Sequence, residues 1–579
     1  MRRRTIQYLV LLSVIALSVH LYFNQSFTLT PPEWLDDYSP FESEPENYKA
    51  KPRPYPPPRQ KDVTSAWSKP SPSSRPNTLP ADVPKRDAVV EAFKYAWSAY
   101  ERDAMGSDEY HPLSHRGSDL GGGGSIGYTV VDAIDTMLLM GLDAEYGRAK
   151  DWVKEKLSFD RSGSFSTFET TIRVLGGLLS AHYLTGDALY LRHATDLGER
   201  MLPVFDTGSG LPYPAANLAG RSGQGGGVSV SEATTLQLEF RYLAQLTGKA
   251  PFWHKAEHVM EVVNKARLPN NLAPVSMNMG TGRFVQSRIG MGSNGDSYYE
   301  YLLKQYLQTN CTEPVYHQMY SDAMQGVHAH LVQKTPTRGL TYIAELLPKG
   351  GPDWQTSWQA QGKQEHLACF LAGSLMLGAT TAHLKDAAQP ASVPPKMKEL
   401  TPTGQRDWQT GVDYLEGCMA THDTKTGLSP EGVNYRTPSD PGPPGERDWY
   451  INKADQGGTP PYDARYMLRP EISESVFLAW RLTGDARYRG YAWAIFSAIE
   501  KHCRLPGGGY ATVLDVDALP VTHLDKQETF FLSETLKYLF LTFADDSVLN
   551  LHDVVFNTEA HPLPVFTPTI KPQFTKYSS

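Results

Sequence analysis

The stretch that opens Ser166-Thr167-Phe168-Glu169-Thr170-Thr171-Ile172-Arg173 and closes Leu184-Thr185-Gly186-Asp187 carries both ends of one helix. A hydroxyl residue followed by an acid in the first turn is a helix start, and a glycine after the last apolar residue is a stop, because Gly enters the left-handed conformation at little cost. The same stop returns at Leu246-Thr247-Gly248-Lys249 and Leu482-Thr483-Gly484-Asp485, each time with an aromatic residue four past the glycine: Tyr190, Phe252 and Tyr488. Matching starts are Ser229-Val230-Ser231-Glu232 and Leu468-Arg469-Pro470-Glu471, with others at Asn294-Gly295-Asp296, Gln364-Glu365 and Gln527-Glu528. The acids Glu169, Glu232, Asp296 and Glu365 lie 63, 64 and 69 residues apart, then Glu471 follows by 106 and Glu528 by 57. A period near 60 residues is one helical hairpin with its loops. Six or seven such hairpins fit between Pro84 and the C-terminus, and closing them into a ring gives an all-α fold, an α/α barrel with these acids at one mouth. That makes one domain of about 490 residues where length alone would suggest several.

Taken singly, an acid in a first turn complements the helix dipole and needs no catalytic role. Six at a regular period, each set in apolar helix, predict a ring of carboxylates around a pocket. Mutual repulsion there raises some pKa values and leaves other groups ionised, the condition for a general acid beside a general base. Upstream, Val89, Phe93, Ala96, Trp97 and Tyr100 fall on one helical face, and strict alternation is scarce throughout.

The chain of 579 residues carries 55 Lys+Arg against 63 Asp+Glu, a net charge of −8, which argues against a nucleic-acid partner. Residues 1–5 hold three arginines, and residues 6–23 contain no Asp, Glu, Lys or Arg. Basic flank and uncharged run predict an uncleaved signal-anchor with the remainder lumenal, in preference to a cleaved signal peptide, because no small-residue cleavage pattern follows. Residues 24–84 hold 14 of the 43 prolines and read as an extended stalk. Asn24-Gln25-Ser26 and Asn310-Cys311-Thr312 fit the glycosylation acceptor pattern. The four cysteines, Cys311, Cys369, Cys418 and Cys503, form no C-x-x-C pair. Gly122-x-Gly124-x-x-Gly127 has no strand before it and reads as a loop, and His111 and His115 flank Pro112 without the glutamate of a metalloprotease helix.

The wording at the helix starts resembles glycoside hydrolase family 47, the class I α-1,2-mannosidases that trim high-mannose N-glycans. The matching stretches are Val131-Asp132-Ala133-Ile134-Asp135-Thr136, Phe168-Glu169-Thr170-Thr171-Ile172-Arg173, Gly295-Asp296-Ser297-Tyr298-Tyr299-Glu300-Tyr301-Leu302, His366-Leu367-Ala368-Cys369-Phe370, Leu468-Arg469-Pro470-Glu471, Glu534-Thr535-Leu536-Lys537-Tyr538-Leu539 and Phe556-Asn557-Thr558-Glu559-Ala560-His561-Pro562. They run in family order across residues 85–566, with 567–579 left as a tail. The resemblance implies an (α/α)7 barrel and an inverting, calcium-dependent enzyme acting on glycoproteins as a monomer, a type II membrane protein of the ER or Golgi. It implies catalytic roles for Glu169, Asp296 and Glu471, with Glu169 the acid and Glu471 the base, Asp296 being the alternative base. Arg173, Glu232, Glu365, His366, Arg469, Glu474 and Glu528 would line the substrate pocket, and Thr558 would bind Ca2+. Cys369 and Cys418 match the family's disulfide, worth roughly 3 to 4 kcal/mol for the loop it closes. Two residues before Asp296, ER-type members carry Arg and Golgi-type members Leu; this chain has Asn294, which leaves the extent of trimming open. The rival reading is a lectin-like quality-control protein on the same barrel, from which the three acids and the cysteine pair point away.

Overall fold

The periodic face of the first helix decides where it sits: Val89, Phe93, Ala96, Trp97 and Tyr100 are all fully buried on α1 (Val83–Ala104), which Pro84 opens at a position that needs no amide hydrogen. In this computed structural model, residues 79–577 are described apart from 267, 351–356, 444 and 453–457. The anchor expected at 6–23, the sequon at Asn24 and the stalk up to residue 78 lie outside the described residues. Among those described, no helix is long and apolar enough to cross a membrane.

Seven helices form an inner ring: α2 (Tyr128–Met140), α4 (Gly176–Thr185), α6 (Gln237–Thr247), α8 (Asp296–Gln308), α10 (Phe370–Ala379), α12 (Glu471–Thr483) and α14 (Leu536–Phe543). Each packs on the next, and the turn Phe531–Thr535 ahead of α14 closes the ring against α2. The outer layer is α1, α3 (Asp143–Glu155), α5 (Ala188–Met201), α7 (Ala250–Lys265), α9 (Pro314–His330), α11 (Pro402–Met419) and α13 (Ala486–His502). This is the (α/α)7 barrel, with α1 pairing with α14 to complete the seventh hairpin. Inner helices are buried on nearly all sides because they touch both the outer layer and their neighbours, whereas outer helices keep one polar face. On α10 only Leu377 escapes burial.

The stops behave as read. Gly186, Gly248 and Gly484 have φ of +69°, +70° and +66°, and their N–H groups reach the carbonyls of His182, Ala244 and Trp480. Tyr190, Phe252 and Tyr488 are fully buried. What the alternation argument did not reveal is a set of very short strands at one end of the ring. Phe165–Ser166 pairs with Ala215–Asn217, Val228–Ser229 with Ser276–Asn278, and Lys363–Glu365 with Gly432–Tyr435, all antiparallel. Each leads strand runs straight into the helical turn of an inner helix and so fixes the direction of its first-turn side chains. From the other end, the hairpin Val554–Phe556/Pro562–Pro564 enters the ring against α8 and α4, burying Asn557, Glu559 and His561 at its tip.

Residues beyond Phe566 lie along the outer layer: the Gln573 and Phe574 amides donate to Glu257 and Phe574 packs on Tyr316. Cys369 and Cys418 form a disulfide, and Cys311 and Cys503 are free thiols. The glycines of 122–127 sit in a loop before α2, whose leading amides Ile126, Gly127 and Tyr128 are satisfied by Asp108. His111 is hydrogen-bonded to the Asp525 carbonyl and to Ser118.

Candidate active site

Glu169 ends the helical turn Thr167–Glu169, capped by Ser166, and the π turn Thr170–Leu175 follows before α4. Such widened turns are frequent at functional sites. One turn on, Arg173 donates from Nε to Glu169 at 2.7 Å and from Nη1 to Thr529 at 2.7 Å and to Glu559, with Asp132 at 3.7 Å from that same nitrogen. Glu169 is thus oriented by a guanidinium that the barrel floor holds.

Asp296 is the first residue of α8. Its Oδ1 accepts from Ser231 Oγ and from the Ser297 amide, both at 2.8 Å, so one oxygen is fixed and one is left for substrate or water. Burial pushes its pKa up to about 6, with Glu300 and Glu365 adding like charge. Just before it, Asn294 is exposed with φ +70°, a left-handed position that Asn tolerates, and its carbonyl accepts the Ser231 amide. Beside it, Glu365 accepts from the Ser293 amide at 2.6 Å and hydroxyl at 2.7 Å. Burial alone would raise Glu365, but these bonds and the Arg288 charge hold it below the usual range. Glu232 is used locally: with Ser229 it completes a reciprocal capping box, its carboxylate accepting the Ser229 amide at 2.8 Å.

Glu471 opens α12. Burial is the largest influence on it, outweighing the Arg469 guanidinium at 3.7 Å, and its pKa rises to about 8. Its Oε2 is buried and has no hydrogen-bond partner among the described residues. His366 lies 3.7 Å from that oxygen but is kept neutral by burial and by the Arg469 charge. Arg469 itself grips both oxygens of Glu431 at 2.8 and 2.9 Å. The Phe530 ring lies 5.6 Å from the Arg173 guanidinium and 5.7 Å from that of Arg469, so it spans the Glu169 and Glu471 sides of one pocket. At the rim, Glu528 pairs with Lys526 at 3.3 Å and stands three residues before the turn at Phe531 instead of inside a helix.

The pocket floor is built by the hairpin tip. Thr558 Oγ1 donates to Glu300 at 2.8 Å, and Lys304 pairs with Glu300 and lies 3.5 Å from Glu474. Glu534 and Glu559 complete the group, both raised by burial and by neighbouring carboxylates against the pull of Arg173, and Glu474 is pushed up to about 7 by burial against the pull of Lys304. Four acids face Lys304 and Arg173, an excess of negative charge among hard oxygen donors. That donor set suits a dication, and calcium in particular prefers six to eight oxygens. Among the described residues no three His, Cys, Asp or Glu side chains are arranged to ligate a metal by themselves, so Thr558 and water or sugar oxygens would have to share the shell.

With that geometry in place, comparison with known proteins is decisive. Residues 92–565 match the model of glycosyl hydrolase family 47. The chain belongs to that family. It is 38% identical over 495 residues to a mannosyl-oligosaccharide 1,2-alpha-mannosidase of Candida albicans, covering 83% of each chain. To the endoplasmic reticulum mannosyl-oligosaccharide 1,2-alpha-mannosidase of Homo sapiens it is 37% identical over 515 residues, 86% of this chain and 67% of the human one. Among solved structures, the alpha-1,2-mannosidase from Trichoderma reesei superposes with a TM-score of 0.72 at 26% identity, over 84% of this chain and all of that one.

For this family 47 chain, the residues expected around the pocket fall into three joined groups: Glu169 with Arg173, Asp296 with Glu365, and Glu471 with His366 and Arg469. Glu474 and Thr558 lie beneath them, while Glu232 and Glu528 are engaged with Ser229 and Lys526. Sequence reasoning passed over Glu431, Phe530, Glu534 and Glu559 as site residues. Glu534 and Glu559 stand in the quoted motifs and could have been flagged as acids in otherwise apolar runs. Glu431 lies between Pro430 and the four-residue strand Gly432–Tyr435, where no periodicity marks it.

Proposed function

We propose that this chain is an exo-acting, inverting α-1,2-mannosidase that trims terminal α-1,2-linked mannose from high-mannose N-glycans. The observation that carries the reading is Glu471: a buried carboxyl with one unpartnered oxygen, across a pocket from a Glu169 held in place by Arg173. In an inverting hydrolysis, one carboxyl protonates the leaving oxygen while another takes a proton from water on the opposite face. Glu169 serves as the acid and gives its proton to the glycosidic oxygen as the bond from C1 breaks. Glu471 serves as the base: Oε2 takes a proton from the water whose oxygen bonds to C1, and the product is β-mannose. Asp296, with one free oxygen, is the alternative base. Arg469 and Glu365 stay charged at the pocket wall and are suited to sugar hydroxyls, and neutral His366 can donate or accept without adding charge. Thr558, through its hydroxyl and carbonyl, would hold Ca2+, with Glu300, Glu474, Glu534 and Glu559 supplying negative charge to the site. When bound, the ion supplies a fixed positive charge that lowers nearby carboxyl pKa values and ligates sugar hydroxyls.

The same reading places a cytosolic tail at 1–5, a signal-anchor at 6–23, a stalk at 24–84, the catalytic domain at 85–566 and a tail at 567–579, as a monomer in the ER or Golgi lumen. The endoplasmic reticulum names of the human and Schizosaccharomyces pombe relatives support this compartment. The test is incubation with a nine-mannose N-glycan, with and without a calcium chelator, following product mass and anomeric configuration. Release of β-mannose that stops on chelation is expected. Binding without release would establish the lectin-like alternative instead, and α-mannose as first product would overturn inversion.

A further inference from the structure

The chain contains 31 Tyr, 21 Phe and 11 Trp, and among the described residues Tyr462 is the one aromatic side chain of these types left exposed, at 54%. A solitary exposed apolar residue is ordinarily unremarkable, so its position matters more than its exposure. Tyr462 opens the tight turn Tyr462–Ala464, which the Ala464 and Arg465 amides close on Pro461 and Tyr462. Its hydroxyl edge lies against Arg469, and Glu431 and Glu528 are close enough to raise its pKa after burial. Arg469 is the residue that holds Glu431 and stands 3.7 Å from Glu471. The ring therefore extends outward from the wall of the pocket described above. The Arg465 guanidinium lies 5.1 Å from the ring centroid and holds the ring by a cation–π contact on one side.

We propose that Tyr462 is a stacking platform for the inner mannose residues of the glycan, those behind the one being cleaved. The proposal rests on the mannosidase reading of the pocket. A pyranose presents a face of C–H groups flanked by hydroxyls. An aromatic face carries negative quadrupole charge that attracts C–H edges, and the carboxylates and guanidinium at the ring's margin match the hydroxyls. A terminal mannose seated between Glu169 and Glu471 would leave the remaining sugars to pass this rim on their way out. The ring would then bind the branched oligosaccharide without touching the reacting bond, and its effect would depend on how many sugars follow the scissile one.

The test compares Y462A, Y462F and the wild-type protein on two substrates, a nine-mannose N-glycan and an α-1,2-linked dimannoside, with melting temperature as a check of folding. For Y462A, kcat/KM on the nine-mannose glycan is expected to fall about fivefold to tenfold further than on the dimannoside, mainly through KM. Y462F, which keeps the ring and loses only the hydroxyl, is expected to restore the long-glycan preference. Equal losses on both substrates would mean that Tyr462 acts through Arg469, and the proposal would fall. It would fall equally if Y462A matched wild type on both, or if Y462F behaved like Y462A. A wild-type protein that released mannose from neither substrate would sink the mannosidase reading itself, an outcome distinct from all of these.

Discussion

Burial pushes Glu471 up to about 8, so in the bare pocket at pH 7 the carboxyl is mostly protonated, whereas a general base must be ionised. Arg469 beside it favours ionisation, and a dication bound at the floor would add to that effect. Glu471→Gln should therefore abolish turnover while leaving the fold intact. The sign of its effect on stability follows from linkage. A carboxyl whose folded pKa is raised holds its proton where the unfolded chain has lost it, so stability is full below the unfolded value near 4.5 and declines as pH rises towards 8. Glutamine lacks that decline. In chelator, the variant should match the wild type near pH 4 and exceed it increasingly up to pH 8, by at most roughly 3 kcal/mol at pH 7. Denaturant melts at three pH values would read this, and a difference independent of pH would mean that Glu471 is solvated. Glu169 is different in kind, since Arg173 pairs with it at 2.7 Å and its side chain is 37% exposed. Glu169→Gln should remove turnover and keep glycan binding measurable, and near-normal turnover would refute its role as the acid.

Between residue and barrel stand the elements, and the turn leading into α10 shows how they are tied. Cys369 ends that turn and Cys418 lies on α11, both buried and 49 positions apart in sequence. Opening that loop should cost about 3 to 4 kcal/mol on the chain-entropy view. Thiol titration of the unfolded chain should find two groups, Cys311 and Cys503, before reduction and four after, and the C369S/C418S double variant should melt lower by an amount of that order. Four free thiols without reductant would show the bond absent. The helix ends were legible in the sequence because their chemistry is local. A left-handed residue at 186, 248 or 484 demands Gly wherever the helix sits, and the acids at 169, 232, 296 and 471 follow from first-turn patterning. Legibility ended where contact is set by the ring. The strands that lead into the turns of Glu169, Glu232 and Glu365 are two or three residues long, too short for alternation to register, while Glu431 owes its place to Arg469, 38 residues further on, and Phe530 packs on Arg173, hundreds of residues before it. First-turn patterning does not show that the Glu232 carboxylate also closes a capping box, because a start signal is the same for an acid that caps and for one that faces a pocket.

At the scale of the molecule, the barrel is closed at its floor by a hairpin from the far C-terminal end of the domain, and that closure gathers acids from α8, α12, the turn before α14 and the hairpin tip. Lys304 and Arg173 do not balance Glu300, Glu474, Glu534 and Glu559, so the floor holds together at neutral pH either by keeping protons or by binding a cation. The two alternatives have opposite pH dependences. Glu474 is pushed up to about 7 and Glu534 well above its usual value, so without a cation the folded state keeps those protons and loses stability as pH rises through the range above 4.5. A bound cation replaces the protons, and its affinity grows as the carboxyls ionise. Chelation should therefore lower the melting temperature strongly at pH 8 and hardly at pH 5, with turnover lost in parallel and restored by calcium but not by sodium at equal ionic strength. Differential scanning calorimetry across that range, with and without chelator, measures both halves of the argument. A chelator effect equal at pH 5 and pH 8 would mean that the floor carboxylates do not sense the ion, and no effect at either pH would mean that the hairpin tip around Thr558 closes the barrel without one.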